Sequence, residues 1–233
     1  MASFDLIQQL CQCELFSGLS KEEVLGLSAH CRIRHLRRNE VLFHATDPAN
    51  FVYVVLFGSV KIFRSNKDGK ERIMHFLMQG ELFGAAVALK GGVYPVTASG
   101  LEHTSLIEIA APVFKSMFMK HPVVGQTLAS QMAERVRESQ NDRIAIFDTV
   151  EKRIAVFLID LLGQSCKRFG PTTRIPIPLT RQDIADRVGT TVETVIRTLS
   201  NWSKENLIIA ENKQLDIPHI QDFCRRIGVD QVS

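Results

Sequence analysis

Glu193 and Arg197 lie four residues apart, a spacing that puts a carboxylate and a guanidinium on the same face of a helix. In the major groove of DNA a carboxylate accepts a hydrogen bond from cytosine N4. A guanidinium fork donates two, to guanine O6 and N7. The pair can therefore read G·C base pairs, each good contact adding about 1–3 kcal/mol of discrimination. The same residue types also make ordinary structure. Glu193 and Arg197 suit a surface ion pair worth about 0.3–0.5 kcal/mol, and Thr190-x-x-Glu193 suits a helix capping box. Both readings stay open on these residues alone.

The elements that would present them are written into residues 179–207, LTRQDIADRVGTTVETVIRTLSNWSKENL. Thr180 can cap a first helix, with Asp183 three residues on completing the pattern. Ile184, Ala185 and Val188 then share one face at helical spacing. Gly189 supplies the backbone freedom for a sharp turn, and Thr190 or Thr191 can cap a second helix. On that helix Val195, Leu199 and Trp202 form an inward stripe. Val192, Glu193, Ile196 and Arg197 are left facing out from its first two turns, the part that a recognition helix presents to base edges. With Thr180, Arg181 and Thr191 at the helix starts, these make the candidate DNA-contacting set. Beyond the second helix, Leu207-Ile208-Ile209, Glu211-Asn212-Lys213 and Leu215-Asp216-Ile217 read as a short hairpin.

The pattern LTRxDIxxxxGxTVETxxRxL resembles the winged helix-turn-helix of the CRP/FNR superfamily of transcription factors, closest to its FNR branch. The resemblance implies an α+β chain: an N-terminal antiparallel β-roll of the cyclic-nucleotide-binding type, a long dimerisation helix, and a C-terminal winged helix-turn-helix with the hairpin as wing. It also implies a homodimer on a palindromic site in double-stranded DNA, RNA polymerase as a partner, and base reading in each half-site by the residues at Glu193 and Arg197. One position departs. Where the FNR branch has Ser and the CRP branch Gly, this chain has Ile196, which cannot hydrogen-bond a base but can touch a thymine methyl.

Composition allows this reading without demanding it. The 233 residues favour two domains, and 45% hydrophobic with 23% charged residues is ordinary for a soluble globular protein. A net charge of +3 does not identify a nucleic-acid binder. Any phosphate-binding surface must be assembled by folding, from candidates such as Arg181, Arg187, Arg197 and Lys204. No segment reads as a signal peptide or membrane span, and five cysteines without a small-domain framework suit a reducing compartment, so the cytoplasm is expected.

Along the N-terminal half, Ser20 and Glu23 form a capping box for a short helix carrying Val24, Leu27 and Ser28 on one side. From Val41 the period shortens. VLF, FVYVVLF, SVKIFRS, RIMHFLM, PVTAS and SLIEI read as strands of an antiparallel sandwich or barrel, with a hairpin at Asn66-Lys67-Asp68-Gly69-Lys70. Helix returns after His121-Pro122 and runs to Ile146. Gly125, Ala129, Met132, Val136, Ser139, Arg143 and Ile146 follow coiled-coil steps along it, which suits either a dimer seam or one face packed on its own domain. With the resemblance, Ala129, Met132, Val136 and Arg143 are taken as dimerisation residues. Asp148-x-x-Glu151 reads as a capping box for a helix turning Ile154, Phe157, Leu158 and Leu161 inward, and Gly170-Pro171 with Pro176 and Pro178 as an extended connector. The expected domains are 1–121, 122–147 and 148–233.

The nature of the signal is less legible. In the cyclic-nucleotide branch, the resemblance implies, a glycine-rich cassette presents a Glu to the ribose and an Arg-Ser pair to the cyclic phosphate. Here the cassette is Gly80-Glu81-Leu82-Phe83-Gly84-Ala85, with Ala85 at the Glu position and Tyr94-Pro95 near the Arg-Ser pair. A phosphate buried without a cation or hydroxyl is costly, so cyclic AMP is not expected as effector. An FNR-type iron–sulfur cluster needs four thiolates, but the chain offers Cys11-x-Cys13 and Cys31 before a gap to Cys166, so no cluster is expected. Cys31 reads as part of a helix end. Haem, as used by some members of the superfamily, stays open. His44 and His75 are the first ligands to test, and with Tyr94 they form the effector-site candidates.

Absence of HExxH, GxSxG and GxxxxGK[ST] motifs argues against an enzyme, and no metal site is expected. The chain therefore reads as a regulator answering a small effector, redox or nitric oxide signal. The alternative is a ligand-binding or haem protein that uses the helix-turn-helix only as structure.

Overall fold

The computed structural model describes residues 7–8, 10, 14–16, 18–145, 148–211 and 214–229. Cys11, Cys13, Ile146, Phe147, Asn212 and Lys213 lie outside the described residues, as does the side chain of Arg143. Two compact units result, Met1–Arg64 with Met74–Ser139, and Ser65–Ile73 with Gln140–Ser233.

The first unit opens with α1 (Lys21–Ser28), fixed at its start by the expected capping box. The Ser20 hydroxyl accepts from Glu23 N, and the Glu23 carboxylate accepts from Ser20 N at 2.8 Å. Strands follow: β1 (Cys31–Leu36), β2 (Val41–Phe43), β3 (Phe51–Phe57), β4 (Val60–Ser65), β5 (Glu71–Leu77) and β6 (Leu82–Phe83). Next come α2 (Ala85–Lys90), β7 (Thr97–Gly100), β8 (Thr104–Ala110), α3 (Ala111–Lys120) and α4 (Pro122–Ala145). Cys31 thus begins a strand and does not end a helix. Arg32 and Arg34 alternate outward from it, a period of two that the charged composition disguised.

The strands form two four-stranded antiparallel sheets, ordered β1-β8-β3-β6 and β2-β7-β4-β5. Register explains why FVYVVLF is apolar without interruption. Val52 and Val54 point to one face, packing with Ile107 and Ile109 against Val24, Phe114, Val124 and Leu128 of the helices. Tyr53 and Val55 point to the other, into a core with Phe43, Leu77, Phe83, Tyr94 and Leu106. A strand covered on both faces has no polar side to show. The β4–β5 turn is the hairpin read from sequence, and Asn66 Oδ1 accepts from Asp68 N at 3.0 Å and Lys70 N at 2.9 Å.

In the second unit, α5 (Val150–Phe169) is capped by Thr149, whose hydroxyl accepts from Lys152 N. The Asp148–Glu151 box is not formed. Asp148 pairs with Lys152 at 3.2 Å, and Glu151 is drawn elsewhere. Ile154, Phe157, Leu158 and Leu161 are buried, as their spacing predicts. Then come α6 (Arg181–Val188), α7 (Val192–Lys204), the hairpin β9 (Ile209–Glu211) with β10 (Gln214–Asp216), and α8 (Ile220–Ile227), a helix the sequence reading did not include. The connector is extended and joins the hairpin edge. Ile175 N donates to Leu215 O and Ile217 N to Thr173 O, both at 2.8 Å, and Arg174 pairs with Asp216 at 3.1 Å.

Trp202 anchors this unit. It is fully buried, meets Phe223 of α8 edge-on at 5.0 Å, and donates from Nε1 to Glu151 Oε1 at 2.9 Å. Trp202→Ala is expected to cost about 3–5 kcal/mol, and Trp202→Phe, which keeps a ring but drops the donor, distinctly less. Thr191→Ala, which removes the cap of α7, is expected to cost about 1 kcal/mol. Denaturant unfolding followed by tryptophan-independent far-UV circular dichroism measures all three.

Candidate nucleic-acid interface

The presentation of α7 is built from its back. Thr180 and Asp183 form a full capping box at α6, with Asp183 Oδ2 accepting from Thr180 N at 2.9 Å and the Thr180 hydroxyl accepting from Asp183 N at 3.0 Å. Gly189 closes α6 in the left-handed region, φ 73° and ψ 56°, where a side chain would be strained. Its N–H and that of Thr190 both reach back to Ala185 O, so the chain reverses within two residues. Thr191 then caps α7, accepting from Thr194 N at 3.3 Å. The Thr190–Glu193 box that the spacing allowed is thereby replaced by Thr191 with Thr194, one residue on. Val195, Leu199 and Trp202 are buried, with Thr198 beside them.

That burial fixes what faces out. Glu193, Ile196 and Arg197 are exposed and Val192 half-buried, all on the first two turns of α7. No ion pair joins Glu193 to Arg197. The Glu193 carboxylate turns instead to its own backbone N–H and to the Thr191 hydroxyl, which hold its pKa below the ordinary value for glutamate. It is therefore an acceptor throughout the neutral range, and Arg197 keeps its donors for another partner. Among the other cations named from sequence, Lys204 is exposed in the last turn of α7. Arg181 is half-buried, and that burial lowers its pKa. Arg187 departs from its expected role, lying over the Phe157 ring at 5.6 Å in the α5–α6 packing.

The face of α4 is divided. Val124 and Leu128 are buried in the first unit's core and Met132 packs partly against it, while Ala129 is exposed and Val136 is 57% exposed. The sequence reading missed a second pair on this helix. Gln131 Oε1 accepts from Leu82 N at 3.3 Å and Arg135 donates to Leu82 O at 2.6 Å, so α4 holds both backbone groups of one cassette residue. Their i, i+4 spacing was the available signal.

The three effector-site candidates have different settings, with the His44–Asp47 turn hydrogen-bonded to the backbone of Tyr94. Tyr94 is buried, with its ring 3.7 Å from that of Phe43 and its hydroxyl donating to Phe51 O at 2.6 Å. Tyr53 and Phe83 continue the stack at 5.2 Å. Burial raises the pKa of both tyrosines, so they stay neutral. A Cβ placed on Gly84, the residue before α2, would come within 3.4 Å of the Tyr94 ring. An aromatic edge therefore lies against the N-cap residue of α2. His44 is exposed, and its backbone N–H is held by Asp47. His75 is half-buried with Nε2 3.9 Å from the Glu81 carboxylate. Burial pushes the Cys31 thiol up to about 12. Among the described residues no three of His, Cys, Asp or Glu gather as a metal site, and no helix is long and apolar enough to cross a membrane.

Comparison with known proteins agrees with the two halves. Residues 33–121 match the cyclic nucleotide-binding domain family, and residues 152–226 the Crp-like helix-turn-helix domain family. The chain is 30% identical over 198 residues to the transcriptional activator protein FnrA of Stutzerimonas stutzeri, covering 84% of this chain and 81% of that one. It is also 30% identical over 195 residues to the cyclic AMP receptor protein of Thermus thermophilus, covering 83% and 87%. The structure of FixK2 from Bradyrhizobium japonicum shares the fold, with a TM-score of 0.74 and 22% identity over 87% of this chain and 98% of that one. These relatives are transcription regulators, not enzymes. With its β-roll, its capped helix-turn-helix and 30% of its aligned residues shared with FnrA, this chain belongs to the CRP/FNR superfamily of DNA-binding transcription regulators.

Proposed function

We propose that this regulator binds a palindromic DNA site as a homodimer, with Glu193 and Arg197 reading G·C pairs in each half-site. Thr180, Arg181, Thr191, Val192 and Ile196 complete the contact surface, and the half-sites lie about 34 Å apart. One observation carries the reading: the rear of α7 is sealed by Val195, Leu199 and Trp202, so its polar pair is committed outward and unpaired with itself. Dimerisation runs along α4, through Ala129, Met132, Val136 and Arg143. The three working segments are 1–121, 122–147 and 148–233. The protein acts in the cytoplasm with RNA polymerase as partner.

The β-roll answers a small effector, a redox change or nitric oxide, and not cyclic AMP. Support for this exclusion is chemical. Ala85 offers no carboxylate to a ribose, and Tyr94 brings a buried ring to the place of a phosphate-binding cation. Whatever the signal, it must favour the DNA-competent arrangement by differential binding, since equal affinity for both arrangements shifts nothing.

Fluorescence anisotropy on a palindromic FNR-like duplex tests the reading helix. Arg197→Ala and Glu193→Ala are each expected to lose about 5–150-fold in affinity per half-site, the range of one base contact. Sequence preference unchanged in both variants would sink the assignment. Val136→Glu is expected to shift the protein toward monomer in sedimentation velocity, and an unaltered dimer would remove α4 from the interface. Isothermal titration with cyclic AMP is expected to give no binding heat, whereas saturable heat with tighter DNA binding would return the nucleotide as effector. An absorbance spectrum of freshly purified protein separates the remaining signals, because haem gives a Soret band.

A further inference from the structure

We infer that Val192 and Ile196 form an apolar edge on the recognition helix that reads the 5-methyl group of thymine, so that the half-site demands a methylated pyrimidine beside its G·C pair. This rests on the DNA-reading role proposed above and adds a chemical group to what is read.

The first observation is that Ile196 lies outside the core of its helix. Its side chain is 49% exposed, while the core of α7 is supplied by Val195, Leu199 and Trp202. Isoleucine is also a poorer helix former than the Ala, Lys, Glu or Gln that suits an exposed helix position. Its place on the outward turns, beside Glu193 and Arg197, is what singles it out for contact with a partner. In the second unit, the described large apolar side chains left exposed to this degree are Ile196 on α7 and Ile209 on β9.

Placement gives the second argument. Val192 and Ile196 are four residues apart, as are Glu193 and Arg197, so two parallel pairs run along the outward turns, one apolar and one charged. Each pair spans one helical turn, about 5.4–6 Å, against a rise of about 3.4 Å per base pair. The apolar pair therefore covers one or two base pairs next to those reached by the charged pair. An apolar edge neither donates nor accepts. On the floor of the major groove the thymine methyl is the apolar group available to it, since guanine, adenine and cytosine present donors and acceptors there.

Rigidity adds a third. Val and Ile are β-branched and hold essentially one χ1 rotamer within a helix. Their methyl groups are already in place, so little side-chain freedom is lost on contact. Serine at position 196, in contrast, would turn a hydroxyl toward donors and acceptors and be indifferent to the methyl group.

The test uses the full chain and a palindromic duplex enriched by it from a random pool. Deoxyuridine replaces deoxythymidine one position at a time, which removes the methyl and leaves every Watson–Crick and groove hydrogen-bonding group intact. At the thymine beside the G·C pair, wild type is expected to lose about fourfold in affinity per half-site, the worth of one buried methyl, and about sixteenfold when both half-sites are changed. Ile196→Ser, which keeps Val192, is expected to bring the ratio of thymidine to deoxyuridine affinity well below the wild-type value, with unfolding unchanged because position 196 is outside the core. Equal binding of both duplexes by wild type, while Arg197→Ala still weakens both, overturns this inference alone. So does Ile196→Ser with the wild-type ratio. Failure to enrich any duplex overturns the DNA-reading role and this inference with it.

Discussion

The geometry of the reading helix depends on the burial of its back. Trp202 sits on three elements at once: its ring lies in the core of the second unit, its edge meets Phe223 on α8, and its indole N–H is held by Glu151 on α5. A fully buried indole without an acceptor would carry a penalty of about 1–3 kcal/mol, so the Glu151 carboxylate is part of the packing and not an ornament on it. Rotation of α7 about its axis by one residue, about 100°, would carry Val195 and Leu199 into water and Glu193 toward the core. Neither is tolerable, and so the outward orientation of residues 192, 193, 196 and 197 is set by apolar burial on the opposite side.

A similar exchange has taken place in the β-roll. The register that divides FVYVVLF between two cores places Tyr53 among Phe43, Phe83 and Tyr94, and their rings stack at 3.7 to 5.7 Å. Aromatic stacking binds the sheets through dispersion and area and requires no counter-charge, whereas a nucleotide phosphate in the same region would require a cation or several donors. The β-roll architecture tolerates either solution because the sheets are held by their own backbone ladders. That is why a domain can match the cyclic nucleotide-binding family with a stack of aromatic rings packed between its sheets.

Legibility in the sequence followed the strength of the local pattern. The helix-turn-helix was readable almost residue by residue, because each of its devices is short-range: Thr180 with Asp183, Gly189 in the left-handed region, the stripe at 195, 199 and 202. The hairpin at Asn66–Lys70 was equally plain. Where two cap candidates stood together, as with Thr190 and Thr191, the sequence left the choice between them open. Where tertiary contact took one partner away the expected box did not form, as Trp202 takes Glu151 from Asp148. Strand β1 was hidden because its outward residues are Arg32, Arg34 and His35, which hid its alternation. Helices α2, α3 and α8 escaped for a related reason. At 6, 10 and 8 residues they are too short for periodicity to declare itself, and packing makes them helical. Arg187 could not have been placed from sequence, since its stacking on Phe157 joins residues thirty positions apart.

The division of α4 bears on how a signal could reach DNA. Its inner face is committed: Val124 and Leu128 are buried, and Gln131 and Arg135 grip the backbone of Leu82 within the cassette. Among the described side chains few large apolar groups remain for a partner helix, Val136 foremost, and the exposed stretch also carries the Glu134–Arg137 pair at 2.7 Å. In the homodimer proposed above, a seam of this composition would be shallow, which suits a regulator. A difference of about 1.4 kcal/mol changes an equilibrium tenfold, so a modest preference of the β-roll for one position of Leu82, passed through two hydrogen bonds to α4, would be large enough to choose between two arrangements of the helices. A tightly zipped apolar seam would hold the helices against any signal of that size.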